Sequence, residues 1–410
     1  MRRFISVKKA QQSLEVIGWF VLVFLLGGTP FATINTGISN IVLPIAVIPM
    51  CAMLRKRTAF STSSGLYVVL VLAVLATAIV NSELFIRPHY RLIACLTIAL
   101  YIVNRFQAHK IKALYLNWMF YVTLASFAFY FLANNTNFLS VLPKVSNVNN
   151  RVYAIGIIYN YIIDIPERNS GCFWEPGIFA SYLTIAIVFA SDNVQKNWKK
   201  IVVFILGILT AKSSAGYALL FVTIPFVLMR NKQVSGIKKV LYFFMTFIVI
   251  ILAINMDAII IATGLSQNPW IAKLLTGNLT MSSRYTALVH NLEVFSRFPI
   301  FGAGYNYVID NQVYCCDIST STYLMSIYGV LGILFTFVMI AGPIRCKSIS
   351  IYSKALYVLI MLMIFNKETH IFILLTWVLG FTMIKETELS ENATKNDAYL
   401  NNHHSLRWPN

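Results

Sequence analysis

RNSGCFWEPGIFASYLTIAIVFASDNVQKNWKKIVVFILGILTAKSSAGYALLFVTIPFVLMR, residues 168–230, decides the fold. A polar and aromatic boundary gives way at Trp174 to an apolar run ending near Ser191. A basic turn with Lys196, Lys199 and Lys200 follows, then a second apolar run, a small-residue tip around Lys212, and a third run closed by Arg230. An apolar helix needs roughly 20 residues to cross a bilayer, so this stretch reads as neighbouring spans joined by short turns. The run at 201–212 is short, which predicts a tilted or re-entrant pair around Lys212.

The pattern repeats along the chain. Spans are predicted at 15–33, 38–54, 62–82, 90–104, 113–132, 174–191, 201–212, 214–229, 240–258, 321–342, 350–365 and 369–384, twelve in all. Of 410 residues, 58% are hydrophobic and 12% charged, with a mean hydropathy of +0.70. Soluble domains carry about 25% charged residues, and none could cover so much apolar surface. The expected fold is an all-α integral membrane protein, a polytopic domain over 1–385 with a polar, disordered cytoplasmic tail at 386–410.

The net charge of +18 resembles a nucleic-acid signal, but its placement assigns it to topology. Arg2, Arg3, Lys8 and Lys9, then Arg55, Lys56 and Arg57, then Arg105, Lys110 and Lys112 recur after every second span, as do the later clusters. Basic residues favour the cytoplasmic side, so both termini are expected there and no nucleic-acid partner is expected. The first run is long and lacks a clear small-residue cleavage pattern, so it reads as an uncleaved span. Cys172, Cys315 and Cys316 fall on the outer side. They read as free thiols, with a bridge from Cys172 to Cys315 or Cys316 as the alternative.

Two outer loops, 133–173 and 259–320, are far longer than a connection needs, and such loops are commonly functional. They hold most of the outer cations, including Lys144, Arg151, Arg168, Lys273, Arg284 and Arg297. A planar guanidinium suits phosphate through paired hydrogen bonds. Glu175 stands at a helix start before Pro176, which suits a first turn. It is either a dipole-favoured acid or a general base. Phe173 and Trp174 beside it serve a sugar-stacking surface or an aromatic belt. In the second loop, Leu288, Leu292 and Phe295 share one helical face, with His290, Glu293 and Arg297 on another. Glu293 and Arg297 are spaced for an ion pair, leaving Arg284 as the better anion ligand and His290 as a second candidate base. Lys212, at the tip among Ser213, Ser214, Ala215 and Gly216, is a further phosphate candidate. The last outer turn adds Lys367, Glu368 and His370. No Cys/His spacing suggests a zinc site, and neither metal nor cofactor is expected.

Three motifs in this order carry a resemblance. Arg168, Gly171, Phe173 and Pro176 close the first loop. Leu209, Thr210 and Ser213 form a small-residue hairpin. Arg284 precedes a turn with Pro299, Gly302 and Gly304. With the span layout and loop pair, the chain resembles the O-antigen polymerase and ligase superfamily, and more specifically the Wzy-type polymerases. The motif match covers roughly 165–340. The stretch CCDISTSTYL lacks the histidine that ligases tend to carry, and Lys212 and Ser214 replace a frequent Ser-Arg pair.

The resemblance implies a GT-C-like polytopic glycosyltransferase in the bacterial inner membrane. Its substrate would be an oligosaccharide on undecaprenyl pyrophosphate, and its partners a flippase and a chain-length regulator. Arg168 and Arg284 are then expected to hold the departing pyrophosphate, Lys212 to assist, and Arg151 to bind glycan. Either Glu175 or His290 would take the acceptor proton. A ligase transferring glycan to lipid A–core and a lipid-linked oligosaccharide flippase are the alternatives. Transporters place ionisable groups mid-membrane in repeated halves, whereas here the charges gather at one face.

Overall fold

The computed structural model describes residues 61–146, 151–155, 159–230, 278–311, 319–346 and 349–405, with isolated positions elsewhere. The predicted spans at 38–54 and 240–258, and most of 15–33, lie outside these. The chain is mostly helical, at 76%. Among the described residues, three apolar helical stretches are long enough to cross a membrane: Thr62–Val80, Ala108–Asn135 and Pro176–Ala211.

The helices are α1 (Thr62–Val80), α2 (Arg87–Arg105), α3 (Ala108–Asn135), α4 (Pro176–Ala190), α5 (Val194–Ala211) and α6 (Ser214–Arg230), then α7 (Asn278–Arg297), α8 (Tyr305–Asp310), α9 (Thr320–Tyr328), α10 (Leu331–Arg345), α11 (Ile351–Phe365) and α12 (Leu374–Ser405). The third apolar stretch, Pro176–Ala211, is continuous only in composition. Gly207 packs against Leu183 and Thr123, yet an unbroken helix would hold residues 183 and 207 about 36 Å apart. The chain therefore reverses at the short 3-10 turn Ser191–Asn193. The Asn193 side chain accepts the Lys196 N–H at 3.0 Å, restarting the helix as an N-cap.

Helix α4 is the centre of the bundle, with every one of its residues buried. A helix that is apolar all round has no solvent face to present. The small residues of the Lys212 tip let α6 approach it, since Gly216 lies against Ala180. Helix α12 packs as closely on α10: a side chain at Gly342 would stand 2.7 Å from the Met383 carbonyl, and Gly342 accepts the Thr387 hydroxyl at 2.9 Å. Small residues permit this backbone approach. Pro343 inside α10 has no N–H, which strips the Met339 carbonyl of its helical partner. The Tyr357 hydroxyl of α11 donates to that carbonyl at 2.7 Å.

Four expectations are corrected. The all-α expectation misses a three-stranded antiparallel sheet in the first long loop. It comprises β1 (Lys144–Ser146), β2 (Val152–Ile155) and β3 (Asn160–Ile162), with Tyr153 paired to Val145 on one side and Ile162 on the other. The disordered tail at 386–410 is instead helical to Ser405. Its carboxylates find cations on other helices: Glu386 bonds Lys112 at 2.9 Å and Glu391 bonds Arg345 at 3.1 Å. The span expected at 321–342 is broken at Gly329, which adopts φ +64° between α9 and α10. Helix α7 buries Ala287, Asn291 and Val294, not the expected face of Leu288, Leu292 and Phe295. Close packing favours its small residues, and Asn291 donates to Thr322 on α9 at 3.2 Å.

Candidate functional site

The RNSGCFWEP segment is sewn in place residue by residue. Asn169 donates through its backbone to the Thr210 carbonyl at 3.0 Å and through its side chain to Ser126 at 2.9 Å. Ser170 donates to the Asn160 carbonyl at 2.8 Å, while the Asn160 N–H reaches the Gly171 carbonyl at 2.7 Å and its side chain bonds Cys172. Strand β3 is thus clipped to the loop it precedes. Gly171 sits at φ +57°, and any side chain there would strike the Phe179 ring at 2.8 Å. The polar letters of this motif hold loop to bundle.

At its end stands Glu175, in extended conformation at the N-cap of α4, with Pro176 opening the helix. Its carboxylate is bonded by Arg151, the residue before β2. Burial works against the Arg151 charge, but Glu175 and Tyr153 outweigh it and raise the guanidinium above its ordinary pKa. Two predicted residues, Arg151 and Glu175, therefore meet. Each is engaged by the other.

Arg168 and Lys212 form a second grouping at the end of α5. Arg168 Nε donates to the Ala211 carbonyl at 3.3 Å, a position where the helix dipole favours a cation. Among the described residues no carboxylate pairs with Arg168. Lys212 follows as the C-cap at φ 45°, ψ 45°, exposed and left-handed, where glycine is usual. Lys212→Gly is expected to raise the thermal midpoint in detergent, because the left-handed conformation costs a non-glycine residue about 1 kcal/mol. An unchanged or lower midpoint would mean that the lysine earns its strain through a stabilising contact.

The turn 366–370 joins the first grouping. Lys367, only 3% exposed, donates to the Gly177 carbonyl at 3.0 Å, and the Glu368 carboxylate lies against the same glycine. The end of the second loop is zipped to that turn. Thr369 donates to Asp317 at 2.8 Å, Ser319 to Asn366 at 3.0 Å, and Thr320 to the Glu368 carbonyl at 2.8 Å. Both long loops and the turn 366–370 therefore converge on the N-terminal end of α4.

The other predicted residues stand apart. His290 lies on α7, half-buried, with Nε2 buried and without a hydrogen-bond partner among the described residues. Arg284 is on the same helix, about 9 Å along its axis from His290; its side chain lies outside the described set. Glu293 and Arg297 are both exposed and do not form the expected ion pair; an exposed helical pair gains too little to hold two long side chains together. Phe173 is fully buried and stacked on Phe179 and Tyr182, so it cannot stack on a sugar. Trp174 remains partly exposed beside Gly28. Cys172 is a buried free thiol, pushed up to about 12 by burial, while Cys315 and Cys316 lie outside the described residues. Lys144 is exposed on β1, and Lys273 lies outside the described residues. No group of three or more metal-ligating side chains occurs among the described residues.

Sequence reasoning missed Glu83 and His89. Glu83 is 4% exposed and His89 2%. The Glu83 carboxylate accepts the Tyr305 and Asn306 N–H groups, each at 2.7 Å, and His89 Nε2 at 3.1 Å. His89 Nδ1 meets the Tyr328 hydroxyl at 3.2 Å. This cluster anchors the Gly302–Gly304 turn of the second loop to the α1–α2 connection. Its only sequence trace is an acid in a six-residue turn with a histidine six positions on.

Among known proteins, no family model and no curated protein matches this chain.

Proposed function

We propose that this chain is a Wzy-type polymerase of surface polysaccharide, joining undecaprenyl-pyrophosphate-linked repeat units at the periplasmic face of the bacterial inner membrane. In this reading it has twelve spans, with N- and C-termini cytoplasmic. The observation that carries the proposal is the convergence of both outer loops and the last outer turn on the Arg151–Glu175 pair, with Arg168 and Lys212 on the neighbouring turn. Apolar helices that can span a membrane, with paired charge at one end, fit chemistry on a lipid-anchored substrate.

The reaction is a displacement at an anomeric carbon. A hydroxyl of one lipid-linked unit forms the new C–O bond as the bond to pyrophosphate breaks, and undecaprenyl pyrophosphate leaves with the electron pair. Its charge calls for fixed cations, a form of stabilisation that acts most strongly out of water. Arg168, Arg284 and Lys212 take this role, and Arg151 orients glycan. The hydroxyl proton passes to Glu175, once Arg151 has moved to substrate, or to His290.

The test is polysaccharide ladder formation in a deletion strain complemented with wild type, Arg168→Ala, Arg284→Ala or Glu175→Ala, each checked for membrane expression. Deletion is expected to leave single repeats, and each arginine variant to extend chains about 10²- to 10³-fold more slowly. Long polymer stranded on the lipid carrier would mean a ligase. Repeat units confined to the cytoplasmic leaflet would mean a flippase. Normal ladders from the arginine variants would remove their catalytic assignment.

A further inference from the structure

Helix α2 opens on two arginines one turn apart, Arg87 and Arg91. Side chains at this spacing share a helix face about 5–6 Å apart, where like charges repel. Both also stand at the positive end of the helix dipole, which disfavours a cation. No acid lies in the first turn of α2, and no side chain caps it. Among the described residues no carboxylate pairs with either arginine. Glu83, four residues before Arg87, is committed to the Tyr305 and Asn306 N–H groups and to His89.

Arg87 is exposed, whereas Arg91 is half-buried. Arg91 Nε is buried and has no hydrogen-bond partner among the described residues. Its Cζ stands 5.1 Å from the centroid of the Phe372 ring, a contact that leaves the edge donors of a guanidinium free. Phe372 is fixed from two sides: its carbonyl accepts the Cys95 thiol at 4.0 Å, and the Tyr305 ring packs edge-on at 6.4 Å. Arg91 is therefore held in place by everything around it except a counter-charge.

Three unfavourable effects thus meet on one turn: burial of a charged group, repulsion between like charges, and the helix dipole. One anion relieves all three. A carboxylate has two oxygens and serves a single guanidinium, whereas a phosphate has oxygens enough for both. Phe372 also fixes the location. It lies five residues beyond Lys367, which reaches Gly177, and five residues span at most about 18 Å. The pair stands at the same end of the bundle as Glu175.

We propose that Arg87 and Arg91 bind the phosphate group of a ligand taken up at this end of the bundle, carried either on a lipid or on a free phosphate compound. The site stands whether or not the chain polymerises glycan.

The experiment uses the full chain in detergent, carrying Arg168→Ala, Lys212→Ala and Arg284→Ala so that those cations do not contribute. Dioleoylphosphatidic acid and inorganic pyrophosphate are titrated in parallel, with dioleoylglycerol as the phosphate-free control. Binding is read by calorimetry and by the melting midpoint. Saturable binding of at least one phosphate probe is expected, and none of dioleoylglycerol. Arg87→Gln and Arg91→Gln are each expected to lose about tenfold in affinity, the worth of one charge-assisted hydrogen bond. Phosphatidic acid binding alone would assign the site to a lipid headgroup; pyrophosphate binding as well, or alone, would assign it to the phosphate group itself. Both results uphold the site. Without ligand, Arg87→Gln is expected to raise the melting midpoint, because it removes the repulsion. A lower midpoint would give Arg87 a structural contact and overturn the proposal. So would no saturable binding of either probe, unchanged affinity in the variants, or an equal loss from Arg297→Gln at an exposed arginine elsewhere. Arg87 is exposed, so its variant decides the matter even if Arg91→Gln fails to fold.

Discussion

Gly302→Ala is expected to destabilise the protein by about 3–5 kcal/mol, combining left-handed strain with overpacking. Gly302 holds φ +73°, and an added Cβ would overlap the Ile327 carbonyl and stand 2.5 Å from the Tyr328 nitrogen. Both obstacles are backbone and cannot turn aside. The strain arises because the turn 299–304 docks on the break between α9 and α10. Pro299 accepts the Val330 N–H at 2.7 Å, Ser326 the Ala303 N–H at 2.9 Å, and Ile327 the Gly304 N–H at 3.2 Å. The Gly302–Gly304 turn is therefore a backbone splice that lets a broken helix run on with its hydrogen bonds satisfied. Thermal unfolding in detergent, with limited proteolysis of the 259–320 loop, reads the effect. A variant that melts with wild type would mean that the splice does not hold the loop.

Glu83→Ala should cost about as much, roughly 3–5 kcal/mol, because it leaves several buried donors unsatisfied at about 1–3 kcal/mol each. The truncation bares the Tyr305 and Asn306 N–H groups and leaves His89 with only the Tyr328 hydroxyl. Glu83→Gln keeps the shape and one acceptor oxygen, so its loss should be smaller, about 1–3 kcal/mol. His89→Ala in the Glu83→Ala background should add little, since the two side chains share one network. The order of melting midpoints, wild type above Glu83→Gln above Glu83→Ala, is the measurable outcome. Equal midpoints for the two variants would show that a neutral acceptor recovers nothing and that the carboxylate charge carries the whole effect.

The bundle was legible because apolar runs report themselves within a single window. The reversal inside Pro176–Ala211 was legible too, from the basic turn at Lys196, Lys199 and Lys200. What the sequence concealed depends on partners far along the chain. The strands KVS, VYAI and NYI are too short to show a period, and β3 is held by Gly171, Cys172 and Ser170 as much as by its neighbour. The helical tail depends on Lys112 and Arg345, hundreds and tens of residues away. Glu83 gains its meaning only from Tyr305. For the candidate site, the residue types around Glu175 were read, but not that Arg151 would occupy the carboxylate. Phe173 reads as a boundary aromatic until α4 folds over it. His290 and Arg284 were read as partners of the first-loop groups, and no contact among the described residues joins their helix to Glu175.

The proline in α10 carries a consequence for how the chain is assembled. Without an N–H at residue 343, the Met339 carbonyl loses its usual partner within its own helix. Among the described residues the Tyr357 hydroxyl relieves it, and that group belongs to the helix made next. During synthesis α10 emerges from the ribosome with this carbonyl unmet and gains its partner only when α11 arrives beside it. The two are best regarded as one unit of assembly, a hairpin whose second arm completes the first.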